Sequence, residues 1–196
     1  MVLSQYLALL RGINVGGSNI IRMADLKTSF EELGFADVLT YIQSGNVLFK
    51  SEVKNSAALA EQIEQHLSER FRQTSRVVLV QHKKLKTVVE DAPAGFGADA
   101  ANYRYDVIFL KEPLSAKEAM KSVPLKQGVD QAYEGKGVLY FSRLIARASQ
   151  SHLSRIVSLS VYKNMTIRNW NTTTKLLSLM DRRKGSKIGP KDQDKD

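Results

Sequence analysis

Residues 4–10 form a short apolar run that ends at a glycine loop, the pattern of a buried strand. Met23, Leu26, Phe30 and Leu33 then recur at spacings of three and four, and Gly34 follows where a left-handed helix cap is expected. Residues 38–43 and 47–50 read as two strands joined by Ser44-Gly45-Asn46, residue types that tolerate positive φ in a hairpin turn. Asn55 or Ser56 can cap a second helix, in which Leu59, Ile63, Leu67 and Phe71 line one face, and residues 76–81 form a further strand. The order strand, helix, strand, strand, helix, strand is that of a split-βαβ, ferredoxin-like unit.

A basic helix over residues 83–90, with Leu85, Val88 and Val89 apolar, stops before Pro93, and residues 93–101 have the Gly- and Ala-rich composition of a linker. The pattern then restarts with a strand at 103–110 and a helix at 115–122. Strands at 129–133 and 138–141 flank Glu134-Gly135-Lys136-Gly137. A short helix at 152–159, a strand at 165–168 and a last helix at 172–180, with Leu176, Leu177 and Met180 apolar, complete it. The expected fold class is α+β: two ferredoxin-like subdomains, residues 1–92 and 102–180, each an antiparallel sheet with helices on one face. The shared element order suggests duplication.

Composition narrows the chemistry. Of 196 residues none is cysteine, which removes disulfides, thiolate nucleophiles and cysteine-ligated metals together and fits a cytoplasmic location. No leader-like segment opens the chain, and no apolar stretch approaches the roughly 20 residues that span a bilayer, so no membrane partner is expected. The net charge of +9 is diffuse: residues 181–196 hold six Lys or Arg against four Asp, which leaves +7 elsewhere. That tail cannot bury apolar surface, and a disordered basic segment is expected for 181–196.

Three polar clusters are candidates for function. Arg11-Gly12-Ile13-Asn14-Val15-Gly16-Gly17-Ser18-Asn19 follows the first strand, and glycines there let backbone amides approach an anion. Gly12 and Gly17 have the spacing of a Walker A loop, yet Ser18 and Asn19 stand where that motif needs Lys and Ser or Thr; the dinucleotide spacing also fails. Gln43-Ser44-Gly45-Asn46 forms the second cluster, although a hairpin turn selects Gly and Asn for geometry alone. The third is Thr166-Ile167-Arg168-Asn169-Trp170-Asn171-Thr172, with the only tryptophan. Arg168 offers a planar fork to phosphate or carboxylate, and an exposed Trp170 could stack on a base; alternatively Asn171 or Thr172 caps the last helix and Trp170 anchors it. His66, His82 and His152 lie far apart with no metal-binding spacing, and no serine-nucleophile elbow occurs, so neither a metal nor a cofactor is expected.

Arg11 to Gly17, Met23 to Leu26, Thr40 to Val47 and Thr166 to Thr172 together resemble, in order, the signatures of the bacterial family catalogued as DUF1697. The resemblance extends to about Met180. It implies two ferredoxin-like subdomains and no particular activity, substrate or cofactor. It also places Arg11, Gly12, Asn14, Gly16, Gly17, Gln43, Ser44, Gly45, Asn46, Arg168, Asn169 and Trp170 on family positions. Relatives often carry a lysine at the place of Ser18, for which Arg11 and Arg22 are the available substitutes here, and a hydrophobic residue near Thr173.

Three readings follow. The first is binding of a small anionic or phosphorylated ligand or nucleotide through the glycine loop by Arg11, Gly12, Asn14, Gly16, Gly17 and Asn19, with Gln43, Ser44, Asn46, Arg168, Asn169 and Trp170 contributing. The second is nucleic-acid binding by a basic surface, although the strand at 47–50 supplies only Phe49 where RNA-binding sheets carry paired aromatics. The third is an enzyme whose Arg11, Gln43 and Arg168 motifs converge in space. Oligomeric state is not set by any of these residues.

Overall fold

The alternation Tyr6-Leu7-Ala8-Leu9-Leu10 buries both faces of the first strand, so each of its sides must be covered by something. In the computed structural model, which describes residues 3–11, 13 and 20–183, that strand is β1 (Ser4–Arg11). It is followed by α1 (Met23–Glu32), β2 (Ala36–Tyr41), β3 (Asn46–Ser51), α2 (Ser56–Phe71), β4 (Arg76–Gln81) and α3 (His82–Glu90). The second half contains β5 (Tyr103–Leu110), α4 (Ala116–Ser122), β6 (Asp130–Gly135), β7 (Val138–Leu144), β8 (Met165–Asn169) and α5 (Trp170–Arg183). The strands make two four-stranded antiparallel sheets in orders β2-β3-β1-β4 and β6-β7-β5-β8, the same order displaced by four strands. The fold is α+β with two ferredoxin-like units.

Parity assigns the faces. Tyr6, Ala8, Leu10, Val47 and Phe49 face α1 and α2, where Leu26, Phe30, Leu59, Ile63 and Leu67 complete one core. Ile108, Leu110, Leu139 and Phe141 face α4 and the segment after β7. The opposite faces of both sheets belong to a third core: Leu7, Leu9, Leu48, Val78 and Val80 from the first sheet, Val107, Phe109, Val138 and Tyr140 from the second, with α3 and α5 between them. Each helix packs on the sheet of its own half, α3 on β4 and β1 and α5 on β5 and β8, and also touches the other half. Helix α3, from the first half, receives the Tyr140 hydroxyl of the second sheet on its Val88 carbonyl at 2.7 Å. Helix α5, from the second half, accepts Gln5 Nε2 of β1 on the Met180 carbonyl at 3.0 Å, and its Arg183 donates to the Asp37 carbonyl at 2.9 Å.

Several boundaries move from where periodicity placed them. Strand β2 begins at Ala36 and ends at Tyr41, because Asp37, at φ 55°, makes a bulge that shifts its register on β3. The short helix expected over 152–159 is instead part of three consecutive 3-10 turns spanning residues 145–150, 153–158 and 160–164. Ser151 and Leu159 are extended between them, and the Ser151 hydroxyl accepts the Leu153 amide, the local competition that keeps serine-rich segments from propagating a helix. Residues 181–183 continue α5, so the expected tail boundary lies too early; residues 184–196 fall outside the described residues. Residues 93–101, expected to be a linker, hold Phe96 edge-on to Tyr105, Tyr140 and Trp170 at centroid distances of 4.9, 5.3 and 5.2 Å. A side chain at Gly97, where φ is +88°, would put Cβ 2.3 Å from Trp170 Nε1.

One buried carboxylate makes a testable contribution. Asp106 is 7% exposed and lies 3.6 Å from Arg143 Nη2. Desolvation raises its pKa above 3.8, against the lowering influence of Arg143 and then Arg104. The folded chain therefore holds this proton more tightly than the unfolded one. Stability from Asp106 is complete below the ordinary carboxylate value and is lost as pH rises through the raised one. In urea unfolding, Asp106→Asn is expected to gain on the wild type over the interval that opens at about pH 4, the ordinary carboxylate value, as pH rises. A difference that stays constant across that interval contradicts the assignment.

Candidate functional site

β1 ends at Arg11, and the hairpin between β2 and β3 turns beside it, because the Leu10 amide donates to the Gly45 carbonyl at 2.8 Å. The hairpin is closed from within: Asn46 Nδ2 donates to the Tyr41 carbonyl and to Ser44 Oγ, both at 3.0 Å. Gly45 has φ +72°, and a Cβ there would lie 2.6 Å from Ile13 Cδ1 and 2.9 Å from Leu10 Cβ. The turn is packed directly on the start of the glycine loop.

Arg168 joins this junction from the other half of the chain. It lies on the inward face of β8, opposite Val107, and is 7% exposed. Its Nε donates to Asn46 Oδ1 at 2.6 Å. Nη1 donates to Thr166 Oγ1 at 2.9 Å and to the Ile167 carbonyl at 2.8 Å. Nη2 reaches the carbonyls of Leu10 at 2.7 Å, Ser44 at 2.9 Å and Gly45 at 3.2 Å. All three nitrogens of the guanidinium are thus bound by neutral protein oxygens, and no carboxylate pairs with it among the described residues. Burial pulls its pKa down to about 10, so it remains charged at neutral pH. The guanidinium is solvated by the fold without being neutralised.

Arg11 adds a second cation at the same end of β1. It is half-buried; Nη1 donates to the Tyr162 carbonyl at 2.9 Å, and the guanidinium carbon lies 4.9 Å from the Tyr162 ring centroid. Lys111, which follows β5 as Arg11 ends β1, likewise reaches the other half, binding buried Glu64 of α2 at 2.6 Å. The matched arrangement extends to the hairpins: the Leu110 amide donates to the Gly137 carbonyl at 3.1 Å, as Leu10 does to Gly45. Among the described residues, only at the first of these positions is the cation left without an acid.

The three clusters therefore meet, with their residues in different roles. Arg11, Ser44, Asn46 and Arg168 form the junction, whereas Gln43 is exposed on the turn. Gly12, Asn14, Gly16, Gly17 and Asn19 lie outside the described residues. Asn169 and Trp170 point elsewhere, lining a cavity of about 170 Å³ with Tyr103, Arg104 and Tyr105. Asn169 rather than Asn171 or Thr172 caps α5, its Oδ1 accepting the Asn171 amide at 3.0 Å while Nδ2 donates to the Tyr105 carbonyl at 3.1 Å. Arg22 pairs with Asp25 of its own helix at 2.9 Å. His66 and His82 pair with Glu32 and Asp181 on different elements, and no group of three His, Asp or Glu is placed to hold a metal among the described residues.

The fold and junction define a class: paired ferredoxin-like units fused so that one cationic side chain of the second half binds the end of β1 and the first hairpin of the first. The chain belongs to the DUF1697 family of proteins of unknown function, whose model matches residues 3–140. It is similar to the conserved bacterial protein SP0830 from Streptococcus pneumoniae, with 28% sequence identity and a TM-score of 0.79 over 91% of this chain and 99% of that one. No curated protein matches it. Among the described residues no helix is long and apolar enough to cross a membrane.

Proposed function

We propose that the protein binds a small anionic ligand, of the phosphate or phosphorylated-metabolite class, at the Arg168 junction with the glycine loop that follows β1. The observation that carries this reading is the buried guanidinium of Arg168, paired with no acid among the described residues and bound to the Leu10 carbonyl just before the glycine loop in sequence. A buried charge costs several kcal/mol unless it is compensated, and six contacts to neutral oxygens disperse the charge without cancelling it. The residual positive potential favours an anion close by, and Arg11 adds to it.

The division of labour follows from the donors. Arg168 has committed its guanidinium to the fold, so it acts through its field and by holding the hairpin against β1. Direct contacts fall to Arg11 and to loop amides, which glycines leave accessible. The junction carries no acid or base positioned for proton transfer among the described residues, which favours binding over catalysis.

Thermal shift and calorimetry with orthophosphate, pyrophosphate and mononucleotides test the reading. A ligand at 100 times its Kd is expected to add about 2.7 kcal/mol. Arg11→Ala is expected to weaken binding by about 10- to 100-fold, the loss of one charge-assisted hydrogen bond. Equal affinity in Arg11→Ala, or no stabilisation by any of these anions at millimolar concentration, removes the proposal.

A further inference from the structure

Helices α3 and α5 cover only part of the second sheet's inward face. Parity puts Tyr103, Tyr105, Val107 and Phe109 of β5 on that face, with Val138, Tyr140 and Ser142 of β7 and Gln131 and Tyr133 of β6. The helices bury Val107, Phe109, Val138 and Tyr140, and Phe96 closes the edge of that core. Beyond Phe96 the sheet is open. Tyr105, Ser142 and Gln131 are in register across three strands there, and Tyr133 is 45% exposed.

Three cavities of about 210, 170 and 150 Å³ run along this open end and share walls. Tyr103 lines all three, Tyr105 the first two, and Gln131 the first and third. Their floor is aromatic, with Tyr103 and Tyr105 at a centroid distance of 6.1 Å, and an amide and a hydroxyl stand among the rings. Exposed Arg104 borders the second cavity from the start of β5, on the face it shares with Asp106, while Arg147 Nη1 reaches the Gly128 carbonyl at the third. The only acid in the three linings, Asp130, is buried and already accepts the amides of Lys126 and His152 at 2.9 and 2.8 Å.

The geometry points to a groove for single-stranded nucleic acid, its bases on the tyrosines and its backbone along Arg104 and Arg147. Rings interleaved with cations are how sequence-tolerant channels hold a single strand: every base has a face to stack, and the phosphates need the positive edge. A chain of adjoining cavities suits successive bases, and Gln131 and Ser142 can read base edges. A proline-rich peptide also lies on tyrosines, but it has no use for a cation such as Arg147 at the rim, nor for the +9 charge of the chain. This groove shares no residue with the Arg168 junction, so it stands or falls separately from the anion site.

The test is fluorescence anisotropy of the full-length chain with fluorescein-labelled ten-nucleotide oligo(U) RNA and oligo(dT) DNA at low salt, together with emission from Trp170 at the groove's rim. Saturable binding of either probe with a change in Trp170 emission is expected, and a preference between them identifies the strand. Tyr133→Ala and Tyr103→Ala should each weaken binding by about 5- to 150-fold, the effect of losing one stacked base. Tyr133→Phe should bind like the wild type, and Arg104→Ala should reduce the salt slope by about one. Tyr133 is exposed, so its alanine variant should melt with the wild type, which separates lost binding from lost folding. Three outcomes overturn the proposal: neither probe binds; both tyrosine variants bind unchanged while glutamine at Lys184, Lys187, Lys191 and Lys195 abolishes binding; or a labelled proline-rich decapeptide binds where the oligonucleotides do not.

Discussion

Arg168→Met is expected to destabilise the protein by about 3–5 kcal/mol, the largest effect of any single substitution considered. Buried acceptors left without a donor cost about 1–3 kcal/mol each, and this change strands the Leu10 and Ser44 carbonyls and Asn46 Oδ1 together. Relief from burying an unpaired cation offsets part of that loss, which is why the total falls below a simple sum. Arg168→Lys should recover less than half, since an ammonium offers three donors from one point and cannot span acceptors arranged around a planar fork. Urea unfolding measures both variants. A loss under about 1 kcal/mol for Arg168→Met would show that the junction relaxes around the gap and that the hydrogen bonds are incidental.

Gly45→Ala is expected to cost about 2–4 kcal/mol. Left-handed backbone accounts for about 1–2 kcal/mol of it, and the remainder is steric. The new methyl would meet Ile13 Cδ1 at 2.6 Å, which can move, and Leu10 Cβ at 2.9 Å, which is attached to main chain already bound to both Gly45 and Arg168. Gly34→Ala supplies the control: its φ is +79°, with nothing within 4 Å of an added Cβ, so only the conformational cost applies. Equal melting temperatures for the two variants would mean that the turn is not tightly packed on the loop. Amide exchange at Leu10 should accelerate in Gly45→Ala and remain unchanged in Gly34→Ala.

Much of the architecture was legible in the chain because both halves use strands of period two and helices of period near four, punctuated by Gly and Pro. The face that each strand buries was readable in that way; what covers it was not. Periodicity marks Leu85, Val88, Leu176 and Met180 as apolar, but nothing local says that α3 and α5 share one core with both sheets. The serine-rich segment after β7 retains apolar spacing at Leu153, Ile156 and Leu159 while its hydroxyls divert the backbone into 3-10 turns.

The candidate site divides along similar lines. The convergence of three polar clusters could not be read from residues 122 or more apart, such as Arg168 and Asn46. Nor could the burial of Arg168, which changes it from a fork offered to a ligand into one closed on the protein. The aromatic groove did leave a trace: Tyr103 and Tyr105 are two residues apart on one strand, and Tyr133 falls two residues from Gln131 on another. The strand at 47–50 in the first half carries no such pair, and its Phe49 turns into the α1–α2 core.

The core shared by both sheets gives the duplication a consequence for how the chain behaves as a whole. Were the backbone cut within residues 93–101, each fragment would keep its sheet and one inner helix but lose the helix and sheet that complete the shared core. Neither could close its inner face alone, and the two would complement each other as a tightly associating pair. In the intact chain the same arrangement makes folding all-or-none across both halves, since releasing α3 or α5 bares both sheets at once. The protein is built from two similar units, yet its smallest stable part is the pair.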